Sequence, residues 1–191
     1  MKPDRLNALT DGVVAIVLTI MVLEVKIPAE PTLAAVLAVL PLLAAYLLAF
    51  VNVAIYWNNH HHMMQSARRV TGGVLWANHA LLFWLTLFPL MIRWIDEAGV
   101  TSLPVACFGA VLVGAAISYQ LLERALIRAE GEESQVRRAV GAGAKEMISF
   151  ALYVASVPAA FVSPYISVAI FIAVSIAWLV PDRRFERRLQ Q

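Results

Sequence analysis

Six uninterrupted apolar runs govern what this chain can fold into: residues 6–27, 33–57, 74–95, 103–122, 147–162 and 165–180. Crossing about 30 Å of hydrocarbon takes roughly 20 residues of helix. The first four runs have that length. The last two are shorter, and only Ser163-Pro164 divides them, which predicts a tight helical hairpin. In lipid every backbone N–H and C=O must be satisfied internally, so only helices or a closed barrel can span. A barrel would alternate apolar and polar residues, and these runs are continuous. The expected fold is therefore all-α: a polytopic membrane protein with six transmembrane helices forming one domain over 1–191, without internal duplication or a soluble domain. Composition agrees, with 61% hydrophobic residues and only 15% charged, against about 25% charged in soluble domains.

Placement of Lys and Arg sets the orientation, because cytoplasmic loops carry the excess of both. Of the 15 such residues, only Lys26 and Arg93 fall toward one side. The other side collects Lys2, Arg5, Arg68, Arg69, Arg124, Arg128, Arg137, Arg138, Lys145 and the four arginines of 183–188. Both termini are expected in the cytoplasm, with the chain multi-pass in the membrane. Five or seven spans would split the N-terminal charges from the C-terminal ones. The net charge of +2 is too small to suggest a nucleic-acid partner. The segment 123–146 mixes charge signs and reads as a cytoplasmic linker that prolongs the fourth helix and breaks near Gly141 and Gly143. The first run is about 20 residues long with no small-residue cleavage site after it, so it is not read as a cleavable signal. The single cysteine, Cys107, excludes an internal disulfide framework or a Cys-rich metal site and reads as a small buried hydrophobe.

Polar residues in apolar surroundings are the candidates for function. His60-His61-His62 cannot converge on one metal ion, since helical neighbours point about 100° apart. The triple reads as a polar helix end at the cytoplasmic surface, with pH sensing as the alternative. Trp76, Asn78 and His79 sit near the start of the third run. Trp76 suits an interfacial belt, and Asn78 and His79 suit hydrogen bonds to a partner helix. Pro41, Pro89 and Pro158 predict kinks. No nucleophile–base pair or metal set converges, so an enzyme is not expected.

The stretch ALTDGVVAIVLTIMVL (8–23) places an acid at the edge of an apolar helix. Thr10 or Asp11 can cap that helix, a carboxylate there complements the dipole, and Arg5 can pair with Asp11 or with an acid of another helix. On a helical wheel Ile16, Ile20 and Leu23 lie within about 60° of one another, bordered by Thr19, while Asp11 lies about 130° from the stripe's centre. Acid and aliphatic residues thus face different neighbours. The stripe can meet lipid, another helix, or copies of itself around an axis, where it would form a hydrophobic constriction. The pattern alone leaves these three open.

Arg5-x-x-x-Leu9-Thr10-Asp11 resembles the Arg-x-x-x-Phe-Ser-Asp signature that opens the first helix of the lysosomal potassium channel family and its bacterial relatives. Tyr56-Trp57-x-x-His60, Trp76-x-Asn78, Pro89 and Trp178-x-x-Pro181-Asp182-Arg183-Arg184 extend the similarity along nearly the whole chain. Leu9 and Thr10 depart from the usual Phe and Ser. The resemblance implies a potassium-preferring cation channel that lacks a carbonyl filter loop, and no TVGYG-like segment occurs here. For a chain with one six-span unit it implies a homotetramer in the lipid bilayer, passing monovalent cations without a cofactor. It implies that the first helix lines the pore, with Ile16, Ile20 and Leu23 as apolar rings and Thr19 linked to potassium preference. It assigns a structural network to Arg5, Thr10, Asp11, Trp76, Asn78 and His79. The competing expectation is a proton-coupled transporter or proton-permeable pathway that uses Asp11 and the histidines.

Overall fold

A computed structural model describes residues 3–26, 28–131, 134, 136 and 143–179. Every regular element among them is a helix. In chain order these are α1 (Pro3–Leu23), α2 (Leu33–Gln65), α3 (Gly72–Thr86), α4 (Phe88–Ala98), α5 (Ser102–Glu130), α6 (Ala144–Val162) and α7 (Pro164–Leu179). The six apolar runs all become helix, the third made of α3 and α4 together; five of these stretches are long and apolar enough to cross a membrane, and α7 is a shorter apolar helix.

Local chemistry explains most of the boundaries. Pro3 opens α1, where its missing N–H costs nothing, and Asp4 lies in the first turn, at the positive end of the helix dipole. Thr32 caps α2 by accepting from the Ala35 N–H at 3.2 Å, and Thr71 caps α3 through the Val74 N–H at 3.5 Å. The third pass breaks at Leu87, two residues before Pro89, because Pro89 has no N–H to continue the ladder. Pro41 and Pro158 are accommodated inside α2 and α6. Gly99 and Gly131 end α4 and α5 with φ of 72° and 78°, a region costly for residues bearing a Cβ. Extended Ser163 followed by Pro164 makes the tight turn between α6 and α7.

Three helices differ from the sequence expectation. Helix α1 opens at Pro3 and ends at Leu23, so Thr10 and Asp11 lie inside it and do not cap it. Helix α2 has 33 residues, about 50 Å at 1.5 Å per residue, so it runs well past the apolar stretch and carries all three histidines in its last turns. Helix α5 does prolong the fourth run, but it stops at Gly131 rather than near Gly141 and Gly143. Gly143 instead precedes α6 with a φ of 51°. Residues Ile27, Gly141, Arg137, Arg138 and 180–191 lie outside the described part.

Helix α5 is the hub. It packs against α3, α4, α6 and α7, whereas α1 packs against α2, α3 and α4 at the far side. Helices α5 and α3 approach closely: a Cβ built on Gly114 would overlap the Trp84 ring. Only glycine admits the indole there. Phe108 of α5 meets Phe88 and Phe171 edge-on at 5.5 and 5.4 Å, locking α4 and α7 to the same hub. Cys107 is half-buried on α5 and unoxidised.

Candidate pore-lining face and its anchor

Helix α1 has two unlike sides. Leu6, Thr10, Val14, Val17 and Met21 are buried, at steps of four, four, three and four residues, the spacing of one helix face. Turned away from the bundle are Gly12, Ala15, Ile16, Thr19, Ile20 and Leu23. Ile16 is 57% exposed and Leu23 is 78% exposed, so among the described residues nothing covers them. Thr19 donates its hydroxyl back to its own helix, with Oγ1 2.9 Å from the Ile16 carbonyl and 3.0 Å from that of Ala15. Its only proton is thereby committed inward. The oxygen lone pairs remain free to accept or to ligate a cation on the outer side.

The opposite face is held by a buried row of hydrogen bonds. His60 Nε2 lies 2.8 Å from Asn78 Oδ1, and Asn78 Nδ2 donates to Thr10 Oγ1 at 3.1 Å. Thr10 Oγ1 in turn donates to the Leu6 carbonyl at 3.0 Å. An amide oxygen can only accept, so His60 carries its proton on Nε2 in this arrangement. The row ties α2, α3 and α1 together, and its three side chains are almost fully inaccessible. Each lost bond would strand a buried partner, at a cost of about 1–3 kcal/mol.

Asp11 lies beside this row but points outward. Its Oδ1 accepts from Trp57 Nε1 at 2.8 Å, at an exposed position. Trp57 stacks on His61 with ring centroids 5.7 Å apart and planes 23° apart, and Gln65 Nε2 donates to His61 Nε2 at 2.8 Å. The structure thus joins Thr10 to Asn78 and joins Asp11 to α2. It does not bring in the other three. Arg5 is exposed and forms no ion pair with Asp11. Trp76 is 79% exposed, and exposed His79 bonds to the Leu75 carbonyl at 2.7 Å within its own helix, near the Trp76 ring.

Two participants were missed by sequence reasoning. The sequence reads His60 as part of a solvated helix end, yet it is buried on Asn78, while His61 is half-buried and Gln65 is exposed. The physical reason is the length of α2, which keeps His60 within the helix and alongside Asn78 of α3. Trp57 was quoted within a motif but given no role. A signal existed: Trp57 and His60 are three residues apart, on one side of a helix that the Thr10-Asp11 pair can meet.

No group of three or more His, Cys, Asp or Glu able to hold a metal ion occurs among the described residues.

Comparison with known proteins fits this architecture. The family model described as the endosomal/lysosomal potassium channel TMEM175 matches residues 5–89, which contain α1, the buried row and Pro89. A potassium channel of Chryseobacterium sp. (strain P1-3) is 44% identical over 191 residues, covering 100% of both chains. A potassium channel of Streptomyces collinus is 28% identical over 180 residues, covering 88% of this chain and 87% of its own. The crystal structure of a lysosomal potassium-selective channel TMEM175 homologue from Chamaesiphon minutus superposes with a TM-score of 0.81 at 22% identity, over 93% of this chain and 96% of that one. That likeness establishes the shared all-helical membrane fold. The 44% identity to a potassium channel along the entire chain places it further: this protein belongs to the TMEM175 family.

Proposed function

We propose that this chain is the protomer of a homotetrameric, potassium-preferring cation channel in the bacterial plasma membrane, with both termini cytoplasmic. The relatives' assignment as potassium channels supports the class. The observation that carries the mechanism is the uncovered stripe of Ile16, Thr19, Ile20 and Leu23 on a helix whose other side is anchored. Copies of α1 around a closed symmetry axis cover that stripe and need no other partner. Ala8, Gly12 and Ala15, small and exposed nearby, allow neighbouring backbones to come close.

In such a pore, rings of Ile16, Ile20 and Leu23 exclude water, and permeation stops where the lumen dewets. Outward movement of α1 admits water and hydrated cations. The Thr19 oxygens, their protons held by the helix, replace part of a cation's hydration shell. Four hydroxyls are a sparse substitute for a carbonyl filter, so preference for potassium over sodium is modest. Flux is passive, down the electrochemical gradient, and no cofactor takes part.

The competing pathway through Asp11 and the histidines has one supporting feature, the continuous hydrogen bonds from His60 to Thr10. That row ends on the Leu6 carbonyl, which has no proton to pass on. Asn78 sits in its middle, and an amide does not relay protons without tautomerising. Reconstitution in liposomes tests the channel reading. Ile16→Asn is expected to raise basal potassium flux by about tenfold or more as the constriction becomes wettable. Saturable, proton-dependent uptake indifferent to this substitution would overturn the proposal.

A further inference from the structure

A second polar region lies between α2, α5, α6 and α7, and the channel reading makes no use of it. It is a cavity of about 60 Å³, room for about four waters or for one short organic ion. Tyr56, Asn59, Tyr119, Gln120, Glu146 and Trp178 line it. Its floor is rigid: Asn52 Nδ2 donates to Ser175 Oγ at 3.0 Å and to the Leu48 carbonyl at 2.8 Å, and the Tyr153 hydroxyl donates to Asn52 Oδ1 at 3.2 Å. The walls are fixed as well. Trp178 Nε1 donates to Ser149 Oγ at 2.9 Å, and the Tyr56 and Tyr119 rings lean on each other at 6.2 Å. Such pre-formed walls with a few convergent polar groups are the form of a small-molecule site.

The lining chemistry selects the ligand. Aromatic faces and a carboxylate attract a cation and repel an anion. Glu123 lies within hydrogen-bonding reach of Glu146, and burial raises both carboxyls above the ordinary range, so the pair shares a proton and presents a single negative charge at the rim, with Arg124 beside Glu123 on α5. The chain already sets one ammonium against this wall: Lys145 Nζ lies 4.5 Å from the centroid of the Trp178 ring. The Glu146 carboxyl and the amide oxygens of Asn59 and Gln120 supply three acceptor groups, matching the three N–H groups of a primary ammonium.

We propose that this cavity binds a primary alkylammonium ion, its N–H groups directed to Glu146 and the two amides and its charge against the Tyr56 and Tyr119 rings. Two sources present that chemistry at the end of the bundle where α2 finishes and α6 begins: a soluble amine and the headgroup of an aminolipid.

Ethylammonium titrated into the detergent-solubilised protein, followed by saturation-transfer NMR, tests the site, with ethanol as the uncharged counterpart. Saturable ethylammonium binding is expected, with ethanol at least about tenfold weaker. Glu146→Gln and Gln120→Ala should each weaken it, Glu146→Gln by about tenfold, while Tyr119→Phe, which keeps the ring, should retain it. Thr19→Ala, on the far side of the bundle, should leave it unchanged. Repeating the titration in nanodiscs separates the sources. Weaker apparent binding in phosphatidylethanolamine than in phosphatidylcholine, which is equally zwitterionic but has no N–H groups, identifies the lipid headgroup as occupant, and equal binding identifies a soluble amine. Absence of saturable binding, equal binding of ethanol, or loss with Thr19→Ala but not with Glu146→Gln would each overturn the proposal.

Discussion

Helices α1 and α5 are both long enough to cross a membrane, yet the bundle treats them differently. Helix α5 is surrounded by α3, α4, α6 and α7 and buries large parts of its circumference, from Pro104 to Leu126. Helix α1 buries one narrow face and leaves the other uncovered. The hub is complete within one protomer and the outer helix is not. Changes in α5 should therefore show up as stability, and changes on the open face of α1 as flux.

That contrast can be broken by substitution. Gly114→Ala drives a methyl group into the Trp84 ring and should cost about 1–3 kcal/mol, the range for overpacking a filled core. Thermal unfolding in detergent reads this as a clear drop in midpoint, whereas Ile16→Asn should leave the midpoint near that of the parent and change flux alone. Equal destabilisation by both would erase the distinction. Asn78→Ala sits where the two regimes meet, since it strands His60 and Thr10 and loosens the seat of α1. It should lower stability by about 1–3 kcal/mol and also alter flux, because the helix can then rotate. The smallest effect is expected for Thr19→Ala, which removes an exposed hydroxyl bonded only to its own helix. Stability should hardly change, while the potassium-to-sodium permeability ratio falls by a factor of about two or three, a fraction of a kcal/mol per ion. Thr19→Ser should keep the ratio.

The same contrast explains what could be read from residues alone. Continuous apolar runs specify membrane helices without reference to neighbours, and each of the six runs is helical. Pro89 likewise announces the break at Leu87, since a missing N–H is a local property. The ends of α2 and α5 were harder. Asn58, Asn59 and the histidines look like the end of a span, but helix formation does not stop where hydropathy does. Hardest was the seat of α1. Thr10 and Asp11 are adjacent, so a wheel separates them by only about 100°. The inward one is decided by Asn78 on α3 and Trp57 on α2, both distant in sequence. The wheel did separate Asp11 from the aliphatic stripe, and the two do face different surroundings. Thr10, not the acid, is the residue that enters the bundle.

The central claim, that the open stripe of α1 faces a shared aqueous axis, is tested most directly by silver-ion block of potassium flux in single-cysteine proteins. In a Cys107→Ser background, Ile16→Cys is compared with Val22→Cys, which is also exposed but outside the stripe. The account predicts that silver abolishes flux through the Ile16→Cys protein and spares the Val22→Cys protein. Block at Val22→Cys with none at Ile16→Cys would contradict it, because a different face of α1 would then line the path.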